Sequence, residues 1–313
     1  MGQELFAIID GATNLLSAAV RMGAPLLLAS AGLVFTARAG MSNLGTEGVM
    51  LMGAFSGVVG AYLTGSPWLG ALLAICIGVI FELIVAFLVV TARANQVIVA
   101  MATNLLALGL TSSYGRVIFG VSTRPPRVPP YPLFKIPFLA DIPVLGPVLF
   151  SHNALVYLAF FLVPVTHFIL YRTSLGLKVR VVGEHPRAAD SVGVNVYLVK
   201  YLCCLTRGAM AALAGSYLSL GALNMFTENM VAGRGYMAVS AVIFGKWTPV
   251  GSALGALLFG AGDALQMRLQ AMGWGLPYQF VQALPYVITL VILTGLVGKA
   301  VQPAATGEAY SKE

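Results

Sequence analysis

Few side chains in this chain could do chemistry, and most of them stand inside apolar runs. Asn43, Thr46 and Glu47 sit among Gly40, Gly45 and Gly48 in AGMSNLGTEGVMLMGAF, where closely spaced glycines can interrupt a helix and turn backbone groups toward a cavity. Glu82, Asn104, Arg207, Asp263, Gln266 and Gln282 lie in other apolar stretches. An ionised side chain at bilayer depth costs about 3 kcal/mol, so such groups pair with one another or line a polar path. Glu82 with Arg207 is one candidate pair. Glu47 follows Arg38 by nine residues, roughly 13 Å along a helix, near enough to one face to cap or pair locally as well as to line a path. In LNMFTENMVAGRG, Asn224, Phe226, Glu228, Asn229 and Arg234 put an aromatic ring beside hydrogen-bonding groups. That mixture suits a polar planar solute, and an ordinary external loop is the alternative.

Signatures of catalysis are missing. GxxxxGK[ST], HExxH and GxSxG do not occur, His152, His167 and His185 are scattered singly, and Cys76, Cys203 and Cys204 show neither CxxC nor Cys/His spacing. The cysteines read as small core hydrophobes, and the chain is expected to bind no metal or cofactor itself. Recognition or transport is the chemistry left.

A second polar feature is the stretch 172–193, which carries Arg172, Lys178, Arg180, Glu184, Arg187 and Asp190 in a chain with only 9% charged residues. Gly176, Gly183, Pro186 and Gly193 punctuate it. Proline suits a first helical position and glycine a stop, so a short helix over 186–192, with Ala188 and Ala189 on it, is predicted as a knob outside the lipid.

These residues must be positioned by membrane-spanning helices. With 313 residues, 58% of them hydrophobic, and a mean hydropathy of +0.88, the chain lacks the roughly 25% of charged residues that a soluble surface needs. Residues 1–313 read as one all-α membrane domain, a polytopic bundle of about 8–10 spans. Spans are predicted over 17–37, 41–63, 68–90, 96–119, 154–170, 196–220, 250–269 and 280–297, with a short apolar helix over 236–244 that is read as crossing too. Eight prolines between residues 120 and 150 forbid a regular helix and mark an extramembrane loop. Lysine and arginine bias places 172–193 in the cytoplasm, with Arg38, Arg93, Lys246 and Lys299, and the proline-rich loop with Arg124, Arg127 and Lys135 outside. The net charge of +7 follows from this bias, and no nucleic-acid-binding motif accompanies it. Gly53-Ala54, Gly60, Tyr62 and Leu63 recur as Gly208-Ala209, Gly215, Tyr217 and Leu218, and Gly70-Ala71-Leu72-Leu73 as Gly255-Ala256-Leu257-Leu258. This echo fits either a duplicated bundle or chance among Gly/Ala/Leu-rich helices.

Together SNLGTEGVMLMGAF, GLKVRVVGEHPRAADSVGVNV and RGYMAVSAVIFGKWTPVGSALGALLFG resemble the inner-membrane permease subunits of ATP-binding-cassette importers, in the branch that serves simple sugars and nucleosides and is related to ribose and branched-chain amino acid permeases. Ala188-Ala189-x-x-x-Gly193, with Glu184 ahead, is similar to the loop by which such permeases seat a coupling helix in an ATPase cleft. It departs from the strict form because three residues separate Glu184 from the alanine pair. The resemblance implies coupling to the ATPase through Gly176, Arg180, Gly183, Glu184, Pro186, Arg187, Ala188, Ala189 and Gly193, which of them bear the contact being left open, with ATP and magnesium held by the ATPase partner. It also implies a second, non-identical permease subunit, an extracytoplasmic substrate-binding lipoprotein, and nucleosides or simple sugars as cargo. Asn43, Glu47, Asn104, Asn224, Phe226 and Glu228 are the expected pathway residues. Arg207 stands where the resemblance leads one to expect a small or apolar residue, which would put it at a subunit interface. The alternative is a secondary transporter that uses Glu47, Glu82 or Asp263 as ion sites.

Overall fold

The computed structural model describes residues 2–42, 44–120, 125–272, 279–281, 283, 287, 291 and 301–311. Among them the chain forms α1 (Gly2–Arg38), α2 (Thr46–Thr64), α3 (Pro67–Ala86), α4 (Gln96–Phe119), β1 (Leu133–Lys135), α5 (Leu145–Leu149), β2 (Ser151–Asn153), α6 (Ala154–Arg172), α7 (Ser174–Glu184), α8 (Pro186–Ser191), α9 (Val196–Ser216), α10 (Arg234–Phe244) and α11 (Pro249–Met272). Seven of these helices, α3 and α9 with their π-helical extensions to Thr91 and Leu223, are long and apolar enough to cross a membrane. The chain is a multi-pass membrane protein. Several helices start where a polar side chain satisfies the first free amides: Asn95 accepts from Val97 and Ile98, Asn153 from Val156, Thr173 from Gly176, and Asn195 from Leu198.

Hydrogen bonds at the two ends of the bundle fix the path of the chain. Arg38, closing α1, donates from Nε to the Trp247 carbonyl at 2.7 Å, which puts the α10–α11 turn at the same end as the end of α1. At the other end Arg268, late in α11, donates to the Gly11 carbonyl, and the proline-rich segment reaches the far end of α9 through Val128 N–H to the Asn224 carbonyl. So α2, α4, α9 and α11 run one way, and α1, α3, α6 and the segment 224–244 run the other. That segment runs along the bundle from one end to the other, but not as a continuous helix. Its 11 helical residues cover about 16 Å at 1.5 Å per residue, about half of a 30 Å hydrocarbon core, and the rest of the crossing is the irregular chain 224–233. The span predicted over 280–297 lies outside the described residues, apart from isolated positions. Residues 301–311 lie at the Arg38 end, where the Ala305 and Gly307 amides donate to the carbonyls of Gly183 and Gly40.

The α2–α9 crossing shows how small residues hold a membrane bundle together. A Cβ on Gly53 would overlap the Ala212 carbonyl, and one on Gly215 would overlap the Met50 carbonyl, so the two backbones touch. These glycines belong to the internal echo, because each helix carries glycine where the other passes. The second half of the echo pairs α3 with α11, which run in opposite directions. A single duplication therefore does not account for both matches. The outer face of α4 presents Ile98, Met101, Leu105 and Val117, 60–79% exposed, an apolar surface for lipid or another membrane subunit.

The extramembrane segments are more ordered than proline content and charge suggest. Within 120–150, residues 125–149 fold over the end of the bundle, and β1 pairs antiparallel with β2 from Leu133↔Asn153 to Lys135↔Ser151. Tyr131, 3% exposed, meets the Ser216 hydroxyl at 3.1 Å, and burial pushes its phenol up to about 12 against that hydrogen bond. In 172–193 the structure adds a helix that the sequence reading leaves as loop: α7 precedes the expected short helix, which is α8 and stops at Ser191.

Candidate functional site

The discontinuity before α10 is the most elaborate polar site in the bundle. A half-helix ending inside the apolar layer leaves amide donors without intrahelical partners, and Glu47, in the first turn of α2, supplies acceptors for them. Its Oε1 accepts from Gly233 N and its Oε2 from Gly235 N, each at 2.7 Å. Such a carboxylate at a helix N-terminus also meets the positive end of the helix dipole. A Cβ on Gly235 would lie 2.6 Å from the Glu47 backbone, so glycine there lets the two helix starts approach. Asn104 ties a third helix to the junction: its Oδ1 accepts from Gly48 N at 2.8 Å, and its Nδ2 donates to the Leu44 carbonyl at 3.0 Å and to the Tyr236 hydroxyl at 2.7 Å. Glu47 and Asn104 are thus brought together, while Asn43 lies outside the described residues. Tyr236, on the first turn of α10, is a participant that sequence reasoning missed, and only its position at the end of an apolar helix signalled it.

A second place collects Phe226 and Glu228. An open cavity of about 530 Å3 is lined by Thr111, Ser112, Arg116, Phe119, Phe226 and Glu228 among others. Arg116 pairs with Glu228 at 3.3 Å across its exposed rim. Phe226 is buried below, edge-on to Phe55 with ring centroids 5.2 Å apart. Asn224 takes a left-handed conformation (φ 58°) at the end of the α9 extension, and its backbone carbonyl holds Val128. It therefore shapes the turn and does not line this cavity. Arg116 was not foreseen, since 112 residues separate it from Glu228.

The expected pair of Glu82 and Arg207 exists: the guanidinium donates to Glu82 Oε1, and the two side chains are 0% and 3% exposed. Arg207 also reaches the Ser42 carbonyl at 3.4 Å. The expectation that Arg207 faces a subunit interface is overturned, because its partner carboxylate holds it inside the bundle. Asp263 faces Arg234 at 3.9 Å. The three carboxylates weighed as ion sites each have a partner within the chain.

At the Arg38 end α7 and α8 stand beside the bundle. Glu184, Arg187, Ala188, Val192 and Gly193 are exposed and Pro186 is half-buried. Gly176, Gly183 and Ala189, grouped with them from sequence, are inside the chain and not on its surface. A Cβ on Gly176 would overlap the Ile169 carbonyl, and one on Gly183 the Arg38 carbonyl. Arg180 lies over the Tyr171 ring, 5.2 Å from its centroid. These residues seat the α7–α8 unit on the bundle, and the exposed set forms its outer face.

A bundle of crossing helices with a broken half-helix, internally paired carboxylates and a polar helical knob at one end is a solute-conducting membrane subunit. The chain belongs to the family described as branched-chain amino acid transport system / permease component, which residues 15–295 match. It is 39% identical over 302 residues to the guanosine ABC transporter permease protein NupQ of Bacillus subtilis, covering 92% of this chain and 93% of that one. It is 35% identical over 329 residues to the putative glucose ABC transporter permease protein TsgC13 of Haloferax volcanii (96% and 98% covered), and 34% identical over 299 residues to the nucleoside ABC transporter permease protein NupC of Lactococcus lactis (92% and 93% covered). The chain is an ABC transporter permease subunit.

Proposed function

We propose that this permease moves nucleosides inward across the cell's inner membrane, driven by ATP that separate ATPase subunits hydrolyse with magnesium. The observation that carries this reading is similarity along nearly the whole chain to permeases named for guanosine and for nucleosides. The similarity to a permease named for glucose favours simple sugars as the second reading. A second, non-identical permease subunit completes the pathway, and an extracytoplasmic binding lipoprotein delivers the solute to the end that the proline-rich segment covers. Phe226 and Glu228, at the cavity there, and Glu47 and Asn104, at the discontinuity, lie along the route, with Asn224 at the turn beside it. An aromatic ring next to charged and amide groups suits a nucleobase and ribose.

The outer face of α8, with Glu184, Pro186, Arg187, Ala188 and Gly193, seats in the ATPase. Closure of the ATPase dimer moves that face, and Gly176, Arg180, Gly183 and Ala189 transmit the motion, the first three because they pack α7 directly on α6 and α1, and Ala189 because α8 rests on α7 and α9. The test is uptake of labelled guanosine, adenosine, uridine and ribose into cells carrying the complete transporter, compared with cells lacking this chain and cells with an ATPase-inactive partner. Nucleoside uptake lost in both defects is the expected result. Uptake that survives ATPase inactivation overturns the ATP-driven reading, and uptake of ribose alone moves the cargo to sugars.

A further inference from the structure

Three stretches of backbone meet at the Arg38 end of the bundle: the close of α1, the close of α7, and the segment 301–311. The Ala305 amide donates to the Gly183 carbonyl at 3.0 Å and the Gly307 amide to the Gly40 carbonyl at 3.1 Å, while the Ala304 amide donates to Glu184 Oε2 at 3.2 Å. Glycine stands at both backbone-to-backbone contacts. Gly40 and Gly307 have φ of +74° and +83°, a Cβ on Gly40 would lie 3.0 Å from the Ala305 carbonyl, and one on Gly183 would overlap the Arg38 carbonyl. Further along, Tyr310 is 9% exposed, packs on Tyr197 with ring centroids 5.5 Å apart, and lies beside Asp190 of α8. The segment thus touches α8 from one side, the start of α9 from another, and the α1–α7 junction at its base. Together with Glu184, Pro186, Arg187 and Ala188 it walls a cleft of about 530 Å3 open to solvent.

We propose that residues 301–311 are a strut that positions α8 and form, with it, one composite docking surface for the ATPase subunit. The proposal rests on the reading of α8 as the coupling helix. A helix of 6 residues has too few internal bonds to hold its own orientation. Its seat must come from neighbours, and this segment supplies amide donors to the end of α7 and a tyrosine to α8. Because the same segment bonds to the close of α1, displacement of α8 is passed through Tyr310 to the segment and from there to the bundle through backbone hydrogen bonds.

The experiment uses the complete transporter in proteoliposomes and measures retention of the ATPase subunit on purification, ATP hydrolysis, and solute uptake per ATP. Three variants are compared: Ala305→Pro, which removes the amide bonded to Gly183; Tyr310→Ala, which frees α8 on its other side; and Ala188→Trp, which alters the α8 face alone. The expected result for Ala305→Pro is about tenfold weaker ATPase retention, the factor that loss of one such bond in the seat corresponds to. Tyr310→Ala should lower uptake per ATP with the permease itself inserted at normal levels. If Ala188→Trp abolishes retention while both segment variants behave as wild type, the strut is overturned and the coupling role of α8 stands. If Ala188→Trp changes neither retention nor uptake, the coupling reading falls, and the strut with it. A chain ended at residue 300 that retains the ATPase and full uptake also overturns the proposal.

Discussion

Buried polar side chains in this bundle take their meaning from their partners. Glu82 and Arg207 neutralise each other in a site almost closed to solvent, where removing one charge leaves the other without compensation. Arg207→Met or Glu82→Met alone should therefore lower stability by about 3–5 kcal/mol, and the double variant should recover most of that loss. Thermal unfolding of the detergent-purified subunit checks it, and a double variant no better than either single one would show that the pair is not the relevant unit. This pairing was legible from residue type, since ionisable groups inside a membrane seek partners. The Arg116–Glu228 bridge and the Asn104–Tyr236 bond were not, because nothing in a sequence joins positions more than 110 apart unless intramembrane burial demands a partner.

At the level of elements, close approach of helix backbones decides which glycines matter. Gly53 in α2 faces the Ala212 backbone, whereas Gly109 in α4 has nothing within 4 Å of its Cβ direction. Gly53→Ala should separate α2 from α9 and cost about 1–3 kcal/mol or more. Gly109→Ala should be neutral or stabilise by roughly 0.4–1 kcal/mol through the unfolded chain and helix propensity. Chemical denaturation of the two variants side by side measures this, and equal effects would refute the assignment of the crossing. Span positions were readable because apolar runs end at Arg38, Arg93 and Arg172; the caps that Asn95 and Asn195 supply to α4 and α9 came only with the structure. α7 was not readable, since SLGLKVRVVGE alternates charge and glycine like a loop and becomes a helix only where Gly176 and Gly183 let it lie against α6 and α1. For the site, α8 and Glu47 stood out as local anomalies. Gly183 and Ala189, buried here, were not separable from the exposed members of the coupling set, because sequence does not tell a glycine that faces a partner from one that faces its own chain.

For the molecule as a whole, the cover at the proline-rich end answers to pH through His152. Its ring donates from Nε2 to the Val148 carbonyl at 2.8 Å, and burial, opposed by this bond and aided by the charge of Arg21, holds its pKa below 6.5. A depressed histidine pKa means that the folded state binds fewer protons than the unfolded one. Its contribution is present above pH 6.5 and is lost as the pH falls below that value through the folded pKa. Protection of the Ile136 amide, which bonds to the Phe150 carbonyl, should fall on acidification once the slowing of the intrinsic exchange rate is divided out, and His152→Gln should flatten the response. A wild-type profile without that fall would remove His152 as its cause. The discontinuity at Glu47 has a different reach. Both oxygens of this carboxylate are already engaged by the amides that open α10, so the positive pole that a broken helix would offer to an anion is occupied by the protein itself. A phosphate ester arriving at this depth meets an engaged carboxyl group in place of free N–H groups. On the proposed route this withholds an anion site, so a nucleoside phosphorylated once it has entered would find nothing there to hold its phosphate on the way back.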